Sequence, residues 1–196
     1  MKKKRIAVTG GIGSGKSLVC KILKELGCEC YSCDEIYRLL WEEEGYQKEL
    51  LEIFPSIEKY GKADKRLLST MVFQDKNALQ KLNAFAHPKI MQRLYSFIDE
   101  SDKNLVFAEV PLLFEGGYEK QFDLVFVVLR NKQERISSTM QRDNLPVKEV
   151  EKRIAFQFDY DTLEKTNIKY IFIENNGSIL ELKEKICCIL KEIMKH

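Results

Sequence analysis

Gly10-Gly11-Ile12-Gly13-Ser14-Gly15-Lys16-Ser17 is an unbroken G-x-x-x-x-G-K-[ST], and its reading decides the fold. Glycines at this density let the backbone curl, so that successive N–H groups point at one anion. The positive end of a following helix adds to the attraction. A lysine in the seventh place reaches the outer phosphates of a nucleotide, and the hydroxyl in the eighth can ligate Mg²⁺. The backbone of Gly11, Ile12, Gly13, Ser14, Gly15, Lys16 and Ser17 is therefore a candidate phosphate cradle, Lys16 a candidate catalytic cation and Ser17 a candidate metal ligand.

The flanking sequence supplies the context this loop requires. Arg5-Ile6-Ala7-Val8-Thr9 is a short apolar run suited to a buried parallel strand. Leu18, Val19, Ile22, Leu23 and Leu26 then recur at helical spacing until Gly27, a candidate helix C-cap. Four further strand candidates follow at about 28–32, 104–110, 123–129 and 168–174. Helical patterns separate them, so the expectation is an α/β fold: a five-stranded parallel sheet with helices on both faces. Ser178-Ile179-Leu180-Glu181 is a capping box opening the last helix.

Between the second and third strands lie roughly seventy residues that hold helical patterns at 35–43, 46–54, 65–75, 77–86 and 88–99. His87-Pro88 marks an expected break there, with His87 as an N-cap and Pro88 in a first helical turn. A charged helical stretch, 131–166, separates the fourth and fifth strands. The expected organisation is a nucleotide-binding core from 1–34, 100–130 and 167–196, a helical acceptor-binding insertion over 35–99, and a helical lid over 131–166.

Composition bounds the function classes. The chain has 196 residues, 44% of them hydrophobic, with 32 basic against 30 acidic residues. A net charge of +2 gives no reason to expect nucleic acid or a membrane as partner. Lys2, Lys3 and Lys4 lead into a strand rather than the apolar stretch of a signal peptide. The expectation is a soluble, cytoplasmic protein with no obligate protein partner. Six cysteines occur, at 20, 28, 30, 33, 187 and 188. Cys30-Tyr31-Ser32-Cys33 has C-x-x-C spacing, but the segment is a strand and its thiols suit a core better than a metal or redox site.

Asn131-Lys132-Gln133-Glu134 mimics the guanine-gripping N-K-x-D, but Glu replaces the Asp and no D-x-x-G exists to sense a γ-phosphate. The segment fits the first turn of a charged helix, and a GTPase switch is disfavoured. A kinase is favoured by Asp34 at the end of the second strand. Reactive crevices of open α/β sheets lie off the carboxyl ends of their strands. Arg38 follows Asp34 by one helical turn. Together they make an acceptor site, with Asp34 for the hydroxyl and Arg38 for an anionic substrate. Asp34 also suits a helix N-cap.

Further segments carry a resemblance. Asp64-Lys65-Arg66-Leu67-Leu68 runs to Val72-Phe73, and Leu82-Asn83-Ala84-Phe85-Ala86-His87-Pro88-Lys89-Ile90 follows. Val110-Pro111-Leu112-Leu113-Phe114-Glu115, Gln141-Arg142-Asp143, Arg153-Ile154-Ala155-x-Gln157 and Asn175-Asn176-Gly177 complete the set. With the loop and Asp34-x-x-x-Arg38, these resemble the dephospho-coenzyme A kinases nearly end to end. Two departures stand out: Ser32-Cys33-Asp34 keeps only the second acid of the family's Asp-x-Asp, and Lys65 stands where Arg is common.

The resemblance implies a P-loop kinase that transfers the γ-phosphoryl group of ATP to the ribose 3′-hydroxyl of dephospho-coenzyme A, with Mg²⁺. It implies Asp34, Lys16 and Arg142 as catalytic residues, and Arg38, Arg66, His87, Pro111 and Leu112 at the acceptor. Arg142, Asn175 and Gly177 join the loop at the nucleotide, the last two bordering adenine. Arg135, Arg153 and Gln157 are further lid candidates, and Glu109 sits where a Walker-B acid would lie, ranked low for Mg²⁺. Two alternatives accompany this reading: another nucleoside monophosphate or small-molecule kinase on the same scaffold, and a non-catalytic nucleotide-dependent switch.

Overall fold

The computed structural model describes residues 3–164, 167 and 169–195. The chain forms two compact units, one of Met1–Tyr31 with Ser101–His196 and one of Ser32–Glu100.

The first unit is built on a five-stranded sheet. Its strands are β1 (Lys4–Thr9), β2 (Glu29–Ser32), β5 (Leu105–Glu109), β6 (Leu124–Leu129) and β7 (Tyr170–Glu174), in the order β2-β5-β1-β6-β7. The remaining strands, β3 (Glu58–Lys59) and β4 (Lys62–Ala63), make a small antiparallel hairpin in the second unit. β1 runs parallel to β5 from Lys4↔Leu105 to Val8↔Glu109, and parallel to β6 from Ile6↔Leu124 to Thr9↔Val127. β6 runs parallel to β7 from Val125↔Tyr170 to Leu129↔Glu174. Ile168, at the head of the expected last strand, lies outside the described residues.

Helix α1 (Lys16–Glu25) follows the loop, and α8 (Ile179–Ile193) closes the chain on the same side of the sheet. Val19, Ile22 and Leu23 of α1 and Leu182, Ile186 and Leu190 of α8 share one core with Ile6, Phe107, Phe126 and Ile173. The alternate strand residues Ala7, Val106, Ala108, Val125 and Val127 are equally inaccessible. Both faces of the sheet are thus covered, as the continuous apolar runs require. Gly27 takes φ 82 just beyond α1, and the Ser178–Glu181 capping box closes as expected. α6 (Lys132–Asp143), which begins at the Asn131-Lys132-Gln133-Glu134 segment, and α7 (Val147–Ala155) also belong to this unit.

The second unit is helical: α2 (Cys33–Glu42), α3 (Glu44–Ile53), α4 (Lys65–Gln74) and α5 (Lys76–Glu100). Two expectations fail here. α5 is one continuous helix with Pro88 inside it, so His87 is an interior helical residue and not an N-cap. A proline in a helix interior costs about 3 kcal/mol, because it removes an N–H and crowds the carbonyl four residues back. Tertiary contacts hold the helix through that point. α5 packs on α2 and α4, Lys89 Nζ pairs with Glu49 Oε2 at 2.8 Å, and Arg93 Nη2 pairs with Glu43 Oε1 at 2.6 Å. Asp34 is likewise not an N-cap; Ser32 holds that position and Asp34 lies in the first turn of α2.

Candidate active site

The loop leaves β1 at Thr9 and enters α1 through Gly15, whose φ of 98 places it in the left-handed region open to glycine. The first helical bond runs from Val19 N–H to the Gly15 carbonyl at 3.0 Å. The N–H groups ahead of it lack intrahelical acceptors, and these make the anion site at the helix end. Lys16 Nζ donates to the carbonyls of Gly10 (2.8 Å) and Gly11 (3.1 Å), which places its charge along the loop. Ser17 Oγ donates to Glu109 Oε1 at 2.7 Å. Glu109 ends β5 and is only 7% exposed. A hydroxyl that gives its proton to a carboxylate turns its lone pairs outward. Hydroxyl and carboxylate oxygens are hard donors of the kind Mg²⁺ takes. Glu109, which the sequence ranks low for Mg²⁺, is thus hydrogen-bonded to the candidate metal ligand. A charged residue ending an otherwise apolar strand is the signal, since buried carboxylates need partners.

Residues after β6 enclose the other side of the loop. Arg135 of α6 donates from Nε to the Ile12 carbonyl at 3.0 Å. Gln157, just past α7, accepts the Ile12 N–H on Oε1 at 2.7 Å. The buried Tyr160 hydroxyl lies 3.3 Å from Thr9 Oγ1. Burial pushes the Tyr160 phenol up to about 12, so it stays protonated. A cleft of about 590 Å³ opens here, lined by Gly11, Ser14, Arg130, Arg135, Gln157 and Tyr160 among others. Sequence spacing puts Arg135 and Arg142 on one helix face, but only Arg135 lines this cleft. Arg142 pairs with the neighbouring Asp143, at 2.7 Å from Nε and 3.0 Å from Nη2. Arg153 approaches the same carboxylate at 3.6 Å.

Asn175 follows β7 and is buried, and its Nδ2 donates to the Ser14 carbonyl at 2.8 Å. Its amide thus ties the loop to the end of β7, whereas Asn176 and Glu174 line the cleft. Gly177 is exposed beside the Glu181 carboxylate. Pro111 and Leu112 lie in the turn after β5, Leu112 at 36% exposure.

The acceptor candidates of the second unit sit on three helices. Asp34 and Arg38 are both exposed on α2. Arg66 is exposed in the first turn of α4, where Asp64 Oδ1 caps the N–H groups of Arg66 (2.8 Å) and Leu67 (3.1 Å). His87 is half-buried within α5. Lys65 lies over the rings of Trp41 (5.3 Å) and Tyr37 (5.8 Å). Its ammonium thus has aromatic partners.

A parallel sheet with a phosphate loop between its central strand and α1 defines a P-loop kinase fold. The Acinetobacter baumannii shikimate kinase shares that fold at a TM-score of 0.56 and 18% identity, over 98% of this chain and 94% of its own. Residues 4–181 match the dephospho-CoA kinase family. A dephospho-CoA kinase from Fusobacterium nucleatum is 32% identical over 92% of this chain and 94% of its own. A dephospho-CoA kinase structure from Campylobacter jejuni superposes with a TM-score of 0.70 at 31% identity, over 98% of both chains. The crystal structure of TT1252 from Thermus thermophilus gives a TM-score of 0.83 at 31% identity, also over 98% of both. The chain belongs to the dephospho-CoA kinase family.

Proposed function

We propose that the protein transfers the γ-phosphoryl group of ATP to the ribose 3′-hydroxyl of dephospho-coenzyme A, giving coenzyme A and ADP. Family membership supports the substrates. The observation that carries the chemistry is the loop itself, with Lys16 along it and Ser17 bonded to Glu109.

Transfer of this kind passes through a loose transition state, so catalysis is positioning and charge stabilisation. Loop N–H groups hold the β-phosphate, and Lys16 neutralises charge shifting toward the β–γ bridge. Mg²⁺, held by Ser17 with Glu109 behind it, would supply further charge neutralisation. Asp34 orients the ribose hydroxyl and accepts its proton late, because bond-making lags bond-breaking. Arg38 and Arg66 hold the acceptor's anionic groups, and His87, Pro111 and Leu112 are further acceptor-binding residues by resemblance to the family. The α6–α7 segment serves as a lid that excludes water, which suppresses ATP hydrolysis. Arg142 and Arg153, both beside Asp143, are its further cations, and Arg135 is the one already on the loop. The same proposal places the reaction in the cytoplasm, in keeping with six free thiols.

The test is a coupled assay with ATP, Mg²⁺ and dephospho-coenzyme A that follows ADP and coenzyme A together. Equimolar appearance of both is expected. Phosphate arriving on AMP or a free nucleoside in preference overturns the reading.

A further inference from the structure

Ile12 is gripped on both sides of its backbone by the segment that follows β6. Its N–H goes to Gln157 Oε1 at 2.7 Å and its carbonyl to Arg135 Nε at 3.0 Å. One side chain comes from α6 and the other from just past α7, so the two helices meet the loop at a single residue. The chain beyond Gln157 is fastened down. Phe158 N–H donates to Glu115 Oε1 at 3.0 Å, the Phe158 ring stacks on Phe114 at 4.6 Å, and Tyr160 reaches Thr9. Gln157 is therefore held in place by an anchored strap.

A side-chain amide oxygen is an acceptor, as a phosphate oxygen is. Backbone N–H groups of this loop are the donors through which the fold takes phosphate. The helix end, from Gly15 to Ser17, serves the inner phosphates. Ile12 lies nearer the strand end, where the α6–α7 segment approaches. We infer that Gln157 Oε1 stands in for an oxygen of the terminal phosphate. A nucleoside triphosphate takes over the Ile12 N–H and releases Gln157, whereas a diphosphate leaves the contact intact. Gln157 is then a positioning residue by which the lid distinguishes ATP from ADP. The inference rests on the ATP-dependent reading above and extends it to how the lid registers its nucleotide.

The test is calorimetric binding of ATP and of ADP, each with Mg²⁺ and without acceptor, to the full chain. Gln157→Leu removes the competitor. It tightens ATP by about two- to tenfold, the range of one net hydrogen bond, and leaves ADP unchanged. Gln157→Glu strengthens the bond to Ile12 by its charge and repels the terminal phosphate. It weakens ATP by at least ~tenfold more than ADP, on the same charge argument. The ATP-to-ADP affinity ratio must move in opposite directions in the two variants; a ratio that stays put, or falls in both, overturns the inference. Because no acceptor is present, failure to phosphorylate dephospho-coenzyme A leaves this result standing, and the reverse also holds.

Discussion

Gly13 lies directly against Arg135: a Cβ on Gly13 would stand 2.4 Å from the Arg135 carbonyl oxygen and 2.7 Å from Thr139 Oγ1. Gly11 is as tightly covered, with the Arg135 guanidinium 2.1 Å from the place its Cβ would take. These glycines therefore serve α6 as much as the phosphate.

Gly13→Ala meets both a positive φ of 74 and the backbone of α6. The left-handed conformation alone costs about 1–2 kcal/mol. Gly61, with φ 77 and open space around it, is the control. Both variants lower the melting temperature, but only Gly13→Ala displaces α6 and weakens ATP by at least about tenfold, the equivalent of 1.4 kcal/mol. Equal ATP affinities for the two variants, measured by titration calorimetry, would remove the argument.

Asp34→Asn keeps size and removes the proton acceptor. Turnover falls by at least ~10², the lower end of a general base contribution, while ATP affinity holds. Lys16→Ala lowers turnover at least as far and weakens ATP as well. Steady-state kinetics beside circular dichroism separate these losses from unfolding. An Asp34→Asn enzyme with ordinary turnover removes Asp34 from the chemistry.

Glu109→Gln leaves a side chain of the same shape opposite Ser17 but takes away its charge. The magnesium concentration at half-maximal rate rises by about 10- to 100-fold, as for other residues that orient a metal ligand. A magnesium titration at saturating ATP reads this directly. No rise in that midpoint means the 2.7 Å contact merely caps a buried acid.

Asp143 is held below the ordinary carboxylate value by its hydrogen bond with Arg142, then by the charges of Arg142 and Arg153. A carboxylate with a depressed folded value stabilises above its unfolded pKa of about 3.9 and loses that contribution as pH falls through the folded one. Arg142 is 62% exposed, so the gain stays below about 1 kcal/mol. Protection factors at the end of α6, with the intrinsic exchange rate divided out, should fall in the wild type below about pH 4, the unfolded range. Asp143→Asn should show the lower protection at every pH. Identical profiles would show that the pair contributes nothing to lid order.

The loop and the strands were legible because their signals are local. Glycine spacing sets the curl, and runs such as Val125-Phe126-Val127-Val128 are apolar at every position, as a strand covered on both faces must be. Pro88 misled because a local rule about proline met contacts from α2, α3 and α4 that no local pattern announces. Helical periodicity put Arg135 and Arg142 on one face but could not say which lies over the loop; the approach of α6 at Gly11 and Gly13 decides that. The bond from the Asn175 amide to the Ser14 carbonyl was not legible in the sequence either. Gln157 and Tyr160 reach the loop from 145 and 151 residues away in sequence, and spacing carries no trace of such pairings.

The Asn175–Ser14 hydrogen bond joins positions 161 residues apart. On a growing chain the nucleotide-binding motif is made well before the residue that props it. Until β7 has docked and brought Asn175 into place, the Ser14 carbonyl lacks this donor, so the loop gains its full set of contacts only late in folding.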